Sequence, residues 1–139
     1  MLARARRGSY TERSFRQLPA ALRDRYFRAC GDGTWQPDPS LRAPIRWSLA
    51  NLVNSAEVAP LADADVIFCR NVFIYFSDDA VRSVVKMFGE RMPATGILFL
   101  GASEALTRLG VNFELAEVGG GFAYVRGGQR QAIEALGRR

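Results

Sequence analysis

Two short apolar runs, ADVIFCRNV from residue 64 and GILFLGAS from residue 96, bracket a segment of helical period, and this order restricts the fold more than any other feature. From Val66 the first run is continuously apolar up to Cys69, the pattern of a strand buried on both faces of a parallel sheet. Between the runs, Ser77 or Asp78 can cap a helix over DAVRSVVKMFGERM, in which Val81, Val84, Val85 and Phe88 keep helical spacing. Pro93 and Gly96 then turn the chain into the second run. Strand, helix and strand at this spacing form a βαβ crossover, expected to be right-handed, with the two strands parallel.

The flanking segments complete an α/β plan. Downstream, a short helix is expected from Ser103 with Glu104 in its first turn. NFELAEV and GFAYVR follow as two strands joined by a tight hairpin at Gly119, Gly120 and Gly121. Residues 127–139 are polar and glycine-marked, a tail expected to fray. Upstream, residues 1–7 read as a helix stopped by Gly8, and residues 19–28 as a second helix opened by Pro19. From about 26 to 50 the texture changes: CGDG is a turn, TWQPDPSLR is extended, and IRWSLANL alternates as a strand does. This stretch predicts a small antiparallel unit whose strands Pro37, Pro39 and Pro44 confine to edges.

An arginine and an asparagine set into so apolar a segment need an account. A buried, unpaired guanidinium costs several kcal/mol, roughly, so Arg70 and Asn71 must leave the core where the strand ends. In parallel α/β sheets ligands bind beyond the carboxyl ends of the strands. Cys69, Arg70 and Asn71 stand at that end of one strand, and Gly101, Ala102, Ser103 and Glu104 at that end of the next. Two polar clusters on one rim have the form of a ligand site. The alternative is structural, with Arg70 paired to a carboxylate and Asn71 serving as a cap.

Composition narrows the chemistry. The 139 residues contain no histidine, which removes Ser-His and Cys-His nucleophilic pairs. Cys30 and Cys69 read as two free thiols, with too few partners for a zinc site. No apolar run reaches the roughly 18 residues of a membrane span, and no signal sequence opens the chain, so the cytoplasm is the expected location. The net charge of +5 is almost entirely arginine, Lys86 being the only lysine, and is densest in LARARRGSYTERSFR and the terminal GRR. Without interleaved aromatics or a nucleic-acid motif, such a surface is expected to meet an acidic protein or nothing at all, and no specific nucleic acid.

With these residues in view, the chain resembles the chemotaxis protein methyltransferase (CheR) family. The match rests on IFCRNVFIYF, the helix after it and GILFLGASEAL, with the Cys-Arg-Asn-x-x-x-Tyr-Phe core the most specific part. RARRGSYTERSFRQLP, LRDRYF, IRWSLANL and FELAEVGGGFAYVR are similar to the family's other segments in the same order, so the likeness covers about residues 2–126. The fold this implies is a partial Rossmann-like class I methyltransferase sheet, its later strands and final antiparallel hairpin, with a small antiparallel β-subdomain. Residues 1–126 would be the incomplete methyltransferase domain, about 26–50 the subdomain, and 127–139 the polar tail.

The resemblance also implies an activity: methyl transfer from S-adenosyl-L-methionine to glutamate carboxylates in the cytoplasmic region of a chemoreceptor. It places Asn51 and Leu52 near the adenine, Arg70 and Asn71 around the cofactor, and Tyr75 near the transferring methyl. Tyr75 and Arg70 are then the catalytic candidates, and Asn51, Leu52, Arg70 and Asn71 the cofactor-binding ones. The reaction suits a chain without histidine, because a carboxylate is already a nucleophile at neutral pH and needs neither base nor metal. In the family the small subdomain docks the receptor, in some members through a receptor tail peptide. The turn RACGDGT is shorter than in those members, which argues against tail recognition here.

Two parts of the family pattern are not found in these 139 residues: the glycine-rich turn after the first strand, and the acidic residue after the second that holds the ribose. A helical amino-terminal domain that meets the receptor's methylation region is not found either. Three readings follow: a methyltransferase fragment inactive alone, a remnant completing a split methyltransferase in trans, or a basic non-catalytic interaction domain. The expected state is an exposed apolar edge beside the remaining parallel strand.

Overall fold

The computed structural model describes residues 2–136, which divide into two units, one up to Leu49 and one from Ala50 onward. In the first, α1 (Leu2–Arg7) ends where Gly8, at φ 59°, donates its N–H to the Ala5 carbonyl at 3.0 Å. β1 (Tyr10–Thr11), α2 (Ala20–Tyr26), β2 (Phe27–Ala29) and β3 (Thr34–Pro37) follow. The strands form an antiparallel sheet in the order β1-β3-β2. Asp32 shapes the β2–β3 turn by accepting from the Thr34 N–H and hydroxyl at 3.0 and 2.6 Å. Phe15 is the buried centre of this unit, with edge-on contacts to Phe27 at 4.9 Å and Trp35 at 5.8 Å. α3 (Pro39–Arg42) is capped by Asp38, which accepts from the Ser40 N–H at 2.9 Å.

Several expectations change here. The second helix stops at Tyr26, because Phe27 turns to extended backbone and pairs with Pro37. Pro37 is not on an edge strand. It ends the central one, at a position with a partner on one side only, where a missing N–H costs no ladder bond. Pro39 opens a helix instead of an extended segment. IRWSLANL forms no strand: residues 45–51 are irregular, and Leu49 is 87% exposed. Its alternation encodes a face, but among the described residues no strand lies beside it to take the backbone bonds.

The second unit runs α4 (Ser55–Val58), β4 (Val66–Cys69), α5 (Asp78–Arg91), β5 (Ile97–Leu100), β6 (Phe113–Val118), β7 (Gly121–Arg126) and α6 (Arg130–Leu136). The sheet order is β4-β5-β7-β6, with β4 and β5 parallel and the other pairs antiparallel. Ser77 caps α5 by accepting from the Ala80 N–H at 3.4 Å, and Val81, Val84, Val85, Met87 and Phe88 are buried. They share a core with Cys69, Leu98 and Tyr124 from one sheet face. Arg126 closes the far end of that helix, its guanidinium donating to the Gly89 carbonyl and, at 2.9 Å, to that of Met92. Gly119 and Gly120, at φ 60° and 79°, make the two-residue β6–β7 hairpin, the left-handed pair such a turn requires.

The expected mixed α/β sheet is present, and two details differ. The expected frayed tail is a helix through Leu136, because Ile133 buries itself against Ala116 and Val125 on the second sheet face; residues 137–139 lie outside the described range. β4 is not buried on both faces. It is the sheet's edge, and Phe68 is 71% exposed, stacked on Phe99 at 4.8 Å. The expected exposed apolar edge is therefore there.

Candidate functional site

β4 and β5 run side by side in register, Cys69 opposite Leu100, so the chain leaves both strands at one rim. Beyond β4, Asn71 adopts φ 59° and a short 3-10 turn, Phe73–Tyr75, leads toward α5. Asparagine tolerates this left-handed conformation better than most residues. Phe73 is buried, and Arg70, Asn71 and Tyr75 face solvent, Tyr75 at 81% exposure. Arg70 has thus left the core, and it pairs with no described carboxylate. Its expected alternative, a structural ion pair, is not what the geometry contains.

Beyond β5 the expected short helix is absent. Residues 101–110 form turns, with the Glu104 N–H donating to the Gly101 carbonyl at 3.0 Å. Glu104 turns back instead, and at 6% exposure it is the buried carboxylate of the unit. Oε1 accepts from the N–H groups of Val72 and Phe73, both at 2.7 Å. Oε2 accepts from those of Asn71 at 2.7 Å and Gly101 at 2.6 Å. Four backbone donors converging on one group make an anion-binding nest, filled here by the chain's own side chain. A Cβ on Gly101 would fall 2.6 Å from Oε2 and closer still to the Asn71 Oδ1, so only glycine admits this approach.

The nest sets the local electrostatics. Burial alone would raise the Glu104 carboxyl, but the donors at Asn71, Gly101, Val72 and Phe73 outweigh it and hold the group below its ordinary range. Cys69 is pushed up to about 11, first by burial and then by the Glu104 charge, which makes it a packed thiol and no nucleophile at neutral pH. The turns after β5 have a second anchor, since the Leu106 N–H donates to the buried Tyr124 hydroxyl at 3.1 Å.

Asn51 and Leu52 approach from another segment. Leu52 packs on the core that includes Cys69 and Phe73. The Asn51 N–H donates to Glu57 at 2.8 Å, and its Oδ1 accepts from Val53 at 3.3 Å. No hydrogen bond among the described residues joins this turn to Arg70 or Asn71. A cleft of about 300 Å³ lies beside the rim, lined by Ile74, Asp78, Ser103, Glu104 and Arg108 among others. None of Asn51, Leu52, Arg70, Asn71 and Tyr75 lines it. Glu104 is the residue sequence reasoning misplaced: its polarity was visible, but three of its four partners are more than thirty positions away.

The family model described as "CheR methyltransferase, SAM binding domain" matches residues 1–120. The chain belongs to this family. It is 39% identical over 115 residues to Chemotaxis protein methyltransferase 2 of Vibrio cholerae, covering 83% of this chain and 40% of the relative. It is 36% identical over 125 residues to Chemotaxis protein methyltransferase 1 of Pseudomonas aeruginosa, covering 89% of this chain and 45% of the relative. A protein named Probable biofilm formation methyltransferase WspC, also from Pseudomonas aeruginosa, is 32% identical over 76% of this chain. The chain thus spans less than half the length of these relatives. The CheR-type chain has its Cys-Arg-Asn-x-x-x-Tyr-Phe segment at the rim, and no helix among the described residues is long and apolar enough to cross a membrane.

Proposed function

We propose that this CheR-type domain takes part in methyl transfer from S-adenosyl-L-methionine to glutamate side chains of a methyl-accepting receptor. In this reading Arg70, Asn71, Asn51 and Leu52 form one wall of the cofactor site. The observation that carries it is the presentation of the Arg70 and Asn71 side chains, solvent-facing and without an ion pair among the described residues, at the carboxyl end of β4 beside that of the parallel β5. The residues present fit the cofactor on that side: a guanidinium and a carboxamide stand exposed, and a partly buried leucine packs on the same unit's core. When bound, the cofactor supplies a methyl group already activated by a sulfonium.

The chain's own residues then bind and orient. Arg70 holds an anionic group at the rim, either the cofactor's carboxylate or the incoming glutamate. Asn71 contributes a carboxamide from a fixed left-handed backbone. Tyr75, also solvent-facing, would be the aromatic side chain nearest the transferring methyl once the cofactor is bound. A glutamate nucleophile needs no proton removed at neutral pH, so positioning and partial desolvation are the protein's contribution, each worth several kcal/mol, roughly. The opposite wall requires the glycine-rich turn and the ribose-binding carboxylate, which these 139 residues do not contain. The 139 residues alone are accordingly expected to methylate nothing measurable.

A second reading, completion of a split methyltransferase in trans, is favoured by β4: an edge strand with Phe68 exposed is open to pairing. An NMR titration with S-adenosylhomocysteine tests the cofactor assignment, since it detects weak binding by one wall. Shifts should appear at Asn51, Arg70, Asn71 and Tyr75; a titration that moves none of them removes the assignment. Activity regained on mixing with a separate amino-terminal half would favour the second reading.

A further inference from the structure

We propose that Glu104 is the positioning residue of this rim: its carboxylate holds residues 71–73 against Gly101 and so sets the direction in which Arg70 and Asn71 face a ligand. This rests on the cofactor reading above. The bonding pattern argues for it. Each carboxylate oxygen accepts two backbone N–H groups, so all four acceptor positions are in use. A carboxamide of the same shape would turn an NH₂ against two donors, and an aspartate is one methylene shorter. Packing alone would not demand this chemistry.

Place in the fold argues for it too. Asn71 at φ 59° is the only described residue other than glycine in the left-handed region, a conformation uncommon outside glycine though more accessible to asparagine than to most residues. Three successive N–H groups from that turn reach one side chain, and the fourth comes from the end of the neighbouring strand. Glu104 therefore ties together both sides of the crevice at which the sheet offers a ligand site. It touches no ligand itself and acts through the backbone of residues 71–73.

Glu104→Gln in the 139-residue chain tests this by two NMR readouts: amide hydrogen exchange and titration with S-adenosylhomocysteine. Exchange at Asn71, Val72, Phe73 and Gly101 should quicken by on the order of tenfold or more relative to the amides of α5. Affinity for S-adenosylhomocysteine should fall by a comparable factor. Unchanged protection of the four amides overturns the proposal, and so does lost protection with unchanged affinity. If the variant also loses α5 protection, the wild-type titration decides: ligand must shift these four amides, and a titration that moves Arg70 while leaving them in place overturns the proposal. A wild type that responds nowhere removes the cofactor reading and this role with it, whereas a wild type that binds as tightly as its variant removes this role alone.

Discussion

Residues 2–49 are held by the rings of Tyr10, Phe15, Phe27 and Trp35 under a shell of arginines, whereas residues 50–136 have an aliphatic core with one carboxylate sunk into it. The first unit holds ten arginines against four acidic residues. The second is nearly balanced, with nine basic residues against ten acidic. The charge that would steer an acidic partner and the rim that would hold a ligand are therefore built in different units by different forces. Ion pairs in the first unit, such as Arg28–Asp38 at 2.6 Å, lie on the surface and contribute little. In the second, removing the partner of a buried donor is costly.

The largest effects should come from the two cores. Leu98→Ala empties a fully buried site in the second unit and should cost about 2–5 kcal/mol by urea unfolding. Phe15→Ala should cost about 3–5 kcal/mol and release the amides of β2 and β3 to exchange. Equal loss of α5 protection in Phe15→Ala would show that the two regions are not stabilised separately. Next, Gly101→Ala forces a Cβ against Glu104 and Asn71 and should destabilise by about 1–3 kcal/mol, with a rim perturbed as in Glu104→Gln.

Acid should separate the units further. Because the folded Glu104 carboxyl lies below its ordinary value of 4.5, its stabilisation is complete above that value and is lost as pH falls through the folded one. Ionisable groups near it among the described residues include Cys69, Arg70 next to the bonded Asn71, and Asp78 and Arg108 in the adjoining cleft. The second unit should weaken on acidification below about pH 4.5, and Glu104→Gln should flatten that limb in pH-dependent urea midpoints. Asp38 in the first unit is held down to about 2, by the Ser40 hydroxyl first, then its N–H and Arg28, and stays ionised over that range. The smallest effect belongs to Arg70→Ala: stability within about 0.5 kcal/mol, with the S-adenosylhomocysteine shifts at Asn71 lost. A large stability loss there would show that Arg70 is structural after all.

By itself the sequence determined the elements whose signals are local. The period of Val81, Val84, Val85 and Phe88, the Ser77 cap, the Gly119–Gly120 turn and the emergence of Arg70 from an apolar strand all depend on neighbours a few positions apart. The absence of histidine, which limits the chemistry, is read from composition alone. Only the tertiary structure decided what depends on distant partners. Glu104 read as a first-turn helix residue until donors 31 to 33 positions away claimed its carboxylate. IRWSLANL kept a strand's alternation without a neighbouring strand, and 130–136 became a helix because Ile133 found Ala116 and Val125. Periodicity specifies which face of a segment is apolar. Whether that face is covered, and which backbone groups a buried charge collects, depends on what the rest of the chain brings to it.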